Sequence, residues 1–428
     1  MKTLLNSNKI RNYKGVIVTL VLVFGAIFML MFGSLLTFLY TQYHAGQQKA
    51  AFNQALSIAE AGANYARWHL AHAPNDYSFA GIHDFIDPEG GPIGQYSLQI
   101  SASSACSTMI DIQSTGWDND YPSSKRTVEI KYGRSSLAKY AFLANADVWI
   151  GSNEEVRGPL HSNGGVRMDG TQNALFTSAT STYHCLPMHG CSNPYQTKPG
   201  IWGTGSGGAA GLWQFPVSSI DFNAITVDLS KLRDEAKANG YYFASSTVFG
   251  YHVQFKNNGS FNLYKVTKVK AAVDGWDTEG VKHTESNDIG NGNAESLIGS
   301  YPLSPGGGCD AKSLIFIEDQ RVWVDGVLKQ KATVAAAQFP DNPNTNSTII
   351  INGNITRADP SVTALALIAQ KNILVPLSSP NALEVQAVMI AQKGAVQRYE
   401  YLNQGSDTIK NKIMVRGSII TNHVWTWS

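Results

Sequence analysis

Two groups of side chains in this chain have types and spacings suited to chemistry. The first is His184-Cys185 with His189-Gly-Cys191, which brings two sulfurs and two imidazoles into one short stretch. Cys185, His189 and Cys191 could hold zinc, although their spacing is not that of a zinc finger or ribbon. The chain has four cysteines, Cys106, Cys185, Cys191 and Cys309. Outside the cytoplasm an even set reads first as disulfides. Cys185 with Cys191 would close a short loop and leave Cys106 with Cys309. The second group is the carboxylate doublets Glu154-Glu155 and Glu318-Asp319. Two carboxylates can supply the acid and base of sugar cleavage. Neighbours on a strand point to opposite faces, however, so each doublet offers one outward group. We read both as solvated turn residues.

Other candidates have structural readings that we prefer. His161, between Leu160 and Ser162, reads as a satisfied structural histidine rather than a base. Asp118-Asn119-Asp120 clusters oxygens that suit calcium, yet a solvated turn needs the same residues. Trp202, Trp213, Trp276, Trp323, Trp425 and Trp427 could stack on sugars, but core packing is the default. No Walker A, H-E-x-x-H or G-x-S-x-G motif occurs, and Gly205-Ser-Gly207 lacks the strand–turn–helix setting of a nucleophile elbow. The expectation is a protein without catalysis, cofactor or metal.

The elements that would position these residues begin with residues 16–39, an apolar run without charge or proline. At about 1.5 Å per residue it spans roughly 36 Å, enough for a bilayer core of about 30 Å. The helical signal continues over 40–72. Phe52, Leu56, Ala59, Ala63, Ala66 and Leu70 recur at steps of four and three, while Gln48, Asn53, Ser57, Glu60, Asn64 and Arg67 lie off that row. No proline interrupts before Pro74. This predicts one rod of roughly 58 residues, about 87 Å long; the alternative is an anchor followed by a separate helix. Residues 1–15 carry Lys2, Lys9, Arg11 and Lys14 and no acid, which keeps that side cytoplasmic and places everything after Tyr40 outside. A cleaved secretory signal has a shorter apolar core and an A-x-A-like site, which does not follow here.

Lys14-Gly15 ahead of the apolar run, the rod itself and Ala59-Glu60-Ala61-Gly62 near its end resemble the type IV pilus and pseudopilus proteins, most of all the PilX type of minor pilin. The resemblance covers about the first seventy residues. It implies cleavage of the leader between Gly15 and Val16. It also implies helix packing against other pilins or pseudopilins, with Gly25 and Gly33 allowing close approach. Major pilins of this family carry a Glu five residues after the cut. Here that position is Leu20, which is similar to tip-type or initiating minor members.

After Pro74 the period changes to two. Tyr96-Ser-Leu-Gln-Ile100, Met109-Ile-Asp-Ile112 and Arg126-Thr-Val-Glu-Ile-Lys-Tyr132 predict a small antiparallel sheet over 73–134 that packs on the oily face of the rod. From Ser135 onward an apolar-x-Gly-x-apolar pattern recurs, as in Val156-Arg-Gly-Pro-Leu160, Val324-Asp-Gly-Val-Leu328, Ile351-Asn-Gly-Asn-Ile355 and Val415-Arg-Gly-Ser-Ile419, with a near copy at Met168-Asp-Gly170. Short strands ending in glycine turns are what a β-solenoid needs, and a β-sandwich is the alternative. Gly158-Pro-Leu-His-Ser-Asn-Gly164 and the segment from Leu314 to Gly326 are similar to an extracellular β-helical region that often follows this pilin start.

The expected fold is thus α+β. A long pilin-like N-terminal helix packs on a small antiparallel sheet, followed by a mainly β, solenoid-like domain (135–170 and 311–428). An α/β lobe is inserted at 171–310. That lobe would hold the cysteine loop, a glycine-rich linker over 203–211, a helix over 229–239 capped by Asp228 or Ser230, and a hairpin turning at Asn257-Asn-Gly-Ser260. The formal charge of +1, with 15% charged residues, gives no bulk attraction to nucleic acid. The functional expectation is a minor-pilin-like structural subunit that sits in the inner membrane before assembly, with an extracytoplasmic β domain and a surface or polysaccharide as its possible ligand. The alternatives are a permanently anchored surface adhesin and a tethered carbohydrate-active enzyme.

Overall fold

The computed structural model describes residues 14–73, 76–88, 90–102, 109–133, 137–192, 195–225, 228–304, 311–424 and 426–427. The chain divides into two compact units between Arg134 and Ser135. Most of the basic leader, Cys106, Cys309 and Trp425 lie outside the described residues.

In the first unit, helix α1 runs unbroken over Lys14–His72, 59 residues. The helix is continuous across Thr41, and the hydroxyls of Thr37 and Thr41 donate to the carbonyls of Gly33 and Thr37 one turn back, at 2.9 and 2.8 Å. The helix is long and apolar enough to cross a membrane, and its most apolar stretch is not buried by this chain. Its C-terminal half lies on a four-stranded antiparallel sheet in the order β1 (Gly81–Ile86), β2 (Pro92–Ala102), β3 (Met109–Asp118), β4 (Arg126–Gly133). Along β3 every second residue is buried, from Ile110 through Ile112 and Ser114 to Asp118. Ile58, Ala66 and Leu70 of the helix share a core with Phe79, Tyr96, Leu98, Ile110 and Ile112.

The buried row of α1 differs from the expected one. Ala59, Ala63, Ala66 and Leu70 are buried, but Phe52 and Leu56 are exposed, and Ala51, Ala55 and Ile58 take their places. The cause is the closeness of helix and sheet. A Cβ on Gly116 of β3 would sit 2.4 Å from the backbone nitrogen of Ala59, and one on Gly62 would sit 2.4 Å from Ser114 Oγ. At these closest points only small side chains fit; Ile58 is accommodated against Gly94 of β2, and Phe52 and Leu56 face outward. Phe52 instead lies 4.8 Å from the guanidinium of Arg126.

The second unit is mainly β. One ten-stranded sheet is parallel throughout; its inner strands include Leu160–Ser162, Phe142–Ala144, Ser418–Thr421, Val388–Ala391, Leu365–Ala369 and Ala332–Ala336. A second ten-stranded sheet begins with the antiparallel strands Glu295–Pro302, Ser260–Val266 and Gly250–Lys256. It continues in parallel through Arg321–Leu328 and Thr348–Arg357. A third, of three parallel strands, has the order Ile201–Trp202, Val166–Met168, Val148–Ile150. Val166, Val253, Ile315, Val324, Ile351 and Leu367 belong to one apolar cluster that draws on all three sheets. Each sheet ends in edge strands, and the second also branches at Thr348–Arg357, so none closes on itself among the described residues.

The recurring glycine pattern falls at strand ends and bends. Gly326, at φ +106°, follows the register shift after Val324, and a Cβ there would meet the carbonyl oxygen of Phe255 at 2.2 Å. The inserted lobe expected over 171–310 needs correction. Phe176–Ser178, Trp213–Gln214 and Tyr241–Phe243 belong to the first sheet, and the 250–302 strands belong to the second. These strands are as short as two or three residues, too short for alternation to reveal which sheet they join. Nor is 203–211 a free linker: Thr204 N–H donates to Asp169 and Gly205 N–H to the carbonyl of Met168. The helix Leu229–Ala238 is capped by Asp228, whose carboxylate accepts from the backbone of Ser230 and Lys231. Gly250–Lys256 and Ser260–Val266 form the hairpin.

Candidate functional site

The N-terminal half of α1 is apolar and uncovered by this chain. Val16 through Tyr43 present Phe28, Met29, Leu30 and Met31 at 66–77% exposure, and nothing lies within 4 Å of a Cβ built on Gly25 or Gly33. Gly15 and Val16 lie in the first turn of this helix, and Leu20 is exposed on it. Residues 16–39 carry no acidic, basic or histidine side chain, so this surface offers mainly apolar packing area.

The chemical candidates of the second unit are engaged in structure. Cys185 and Cys191 form a disulfide with their Cα atoms 5.9 Å apart, which uses the two sulfurs that zinc would need. No group of three metal-binding side chains is found among the described residues. Glu154 accepts from the Gly151 N–H at 2.7 Å, and burial raises its pKa against that hydrogen bond. Glu155 is held by Arg157 at 2.8 Å, which lowers its pKa. Glu318 accepts from the Tyr242 hydroxyl at 2.6 Å. Asp319 is buried and accepts from the backbone N–H groups of Ser246 and Gln320, both at 2.7 Å. Neither doublet is the solvated turn expected from the sequence; three of the four carboxylates tie turns or strands together.

His161 is buried between Thr177 Oγ1 at 2.9 Å and Asn163 Oδ1 at 3.1 Å, and burial lowers its pKa. In the first unit, Asp118 accepts from the Asp120 N–H, and the Asn119 amide donates to the Pro92 carbonyl, so that cluster closes its own turn.

The sequence reading missed a charged cluster on the second ten-stranded sheet. His252 is buried, with Nδ1 2.6 Å from Glu295 and Nε2 3.2 Å from Asp325. Asn352 donates to Asp325 at 2.7 Å, and Tyr264 stacks on the imidazole. Burial pulls the His252 pKa down, but the two carboxylates outweigh it and raise it to about 9. The residues lie 43 and 73 positions from His252, and no local pattern links them. They meet because Gly250–Lys256 lies beside Arg321–Leu328 and one strand away from Glu295–Pro302 in the same sheet. The cluster reads as a polar cross-tie between strands.

No protein-family model matches the chain, and no curated protein matches it. Among solved structures, the competence-associated pilin ComZ from Thermus thermophilus is similar over 86% of this chain and 92% of its own, with a TM-score of 0.28 and 12% identity.

Proposed function

We propose that this protein is a structural, non-enzymatic subunit of a type IV pilus-like filament, of the minor-pilin kind, that carries a mainly β, solenoid-like domain outside the cytoplasm. The observation that carries the reading is the single helix α1. One half is fixed to its own sheet through small residues, and the other half is apolar on every side and left uncovered. Such a half-buried rod suits a subunit that waits in the inner membrane and then packs among helices of its own kind. The leader is removed between Gly15 and Val16, and Leu20, in place of an acid, suits a position at the tip. The second unit then meets a surface or polysaccharide, and no cofactor takes part.

Intact mass of the protein from its native host, compared between membrane and sheared-filament fractions, tests this. The expected result is a chain in the filament fraction that begins at Val16. A second reading, a permanently anchored surface adhesin, draws support from the same spanning length and from Leu20. Retention of Met1 through Gly15 in every molecule, with none in sheared filaments, would decide for it.

A further inference from the structure

In the second unit, the turn closed by the Cys185–Cys191 disulfide contains a histidine with an unusual environment. His189 is 2% exposed, and neither ring nitrogen has a hydrogen-bond partner among the described residues. Buried polar groups are nearly always paired, so an imidazole with both nitrogens unpaired calls for an explanation. The turn around it is held mainly by itself. Pro187–His189 is one turn of 3-10 helix, ended by Gly190 at φ +72°, and Cys191 N–H donates to the Leu186 carbonyl at 3.3 Å.

Beneath the turn lies a stack on the three-stranded sheet. The Arg167 guanidinium sits 4.8 Å from the Trp149 ring and 5.0 Å from the Trp202 ring, and it is ion-paired to Asp169 at 2.7 Å. It donates to the His189 carbonyl at 2.5 Å. A Cβ on Gly190 would lie 2.2 Å from Arg167 Nη1 and 3.3 Å from the Trp149 ring, so the turn rests directly on the stack. The disulfide itself packs with Tyr183 and Trp202.

We propose that His189 is an acid-released latch: its protonation lifts the 186–190 turn off the Trp149–Arg167–Trp202 stack, while the disulfide keeps the turn tethered. A charged imidazole inside this packing has no acceptor at either nitrogen, and burying an unpaired charge is costly. Two charged groups face it. Arg167 opposes protonation; Asp147 favours it, but one of its oxygens already accepts from the Gly165 N–H at 2.7 Å. Burial is the largest influence and lowers the His189 pKa, with Arg167 adding to it and Asp147 offsetting part. A released turn returns the imidazole to its ordinary value of about 6.5. The closed state therefore keeps its full stability above about pH 6.5 and loses it as the pH falls below.

The test uses the full-length protein in detergent. The rate at which a phosphine reductant opens Cys185–Cys191 is followed by alkylation and mass spectrometry at about pH 7.5 and about pH 5, against His189→Gln as reference. Relative to that variant, the wild-type rate should rise by up to about thirtyfold on acidification, because pH 5 lies about 1.5 units below the open-state value of about 6.5. An equal pH response in wild type and variant overturns the proposal. If the variant's bridge is opened rapidly at both pH values, hydrogen exchange of residues 186–191 in the wild type decides. Protection lost reversibly at the lower pH supports the latch, and protection retained there overturns it.

Discussion

In the first unit, a helix meets a sheet through Ala51, Ala55, Ala59, Gly62 and Ala63, with backbones so close that Gly62 and Gly116 have no room for a Cβ. In the second unit, parallel strands enclose Ile315, Val324, Ile351 and Leu367, large branched side chains with none of their surface exposed. A buried Leu, Ile or Val contributes about 1.5–3 kcal/mol through removal from water. An alanine contributes less, and a small-residue interface depends on many close dispersion contacts. The helix–sheet seam at Gly62 and Gly116 is therefore sensitive to added volume, and the branched core of the second unit to volume removed. The difference also bears on assembly. Its large apolar side chains over 16–39 stay uncovered by this chain, which is the surface the proposed filament role would use.

Substitutions can sharpen this contrast when the stability of each unit is read separately by hydrogen exchange. The largest expected effect is in the second unit. Trp323 is fully buried, and its indole N–H donates to the Asn287 carbonyl at 2.7 Å. Trp323→Ala should destabilise that unit by about 3–5 kcal/mol and leave the first unit unchanged. Second comes pH. His252 has a folded pKa raised to about 9. The stability it adds is complete below about pH 6.5 and is lost as the pH rises through about 9, a loss of up to about 3 kcal/mol. His252→Gln should flatten the alkaline limb of an unfolding profile; an unchanged limb would show that the cross-tie contributes nothing. Third, Gly116→Val should destabilise the first unit by about 1–3 kcal/mol through overpacking. The same valine on an open surface would do little, so a neutral outcome would break the contrast. The smallest effect belongs to Phe52→Ala, which removes an exposed ring beside Arg126 and should cost no more than about 1 kcal/mol.

Much of α1 was legible because its signals are long and of one period: an uncharged run, then a 3.6-residue stripe without proline. The choice of stripe was not. Phe52 and Leu56 are more hydrophobic than Ala51 and Ala55, and hydrophobicity does not encode how closely a sheet approaches. The hairpin at Asn257-Asn-Gly-Ser260 and the Asp228 cap were legible because turn and cap chemistry is local. The same locality made the Cys185–Cys191 loop readable. Membership of 171–310 in the large sheets was hidden, since a two-residue strand such as Trp213–Gln214 carries no period. His252, Glu295 and Asp325 share no local motif. They meet only because the strands that carry them lie in one sheet.

A filament role requires α1 to be one rod across Thr41. Spin labels at Ser34→Cys and Ser57→Cys, both exposed on α1, give the most direct measurement. Twenty-three residues of continuous helix predict a narrow distance distribution centred near 35 Å. A broad distribution, or one centred well below that distance, would mean that the two halves are separate helices, and the filament reading would be contradicted.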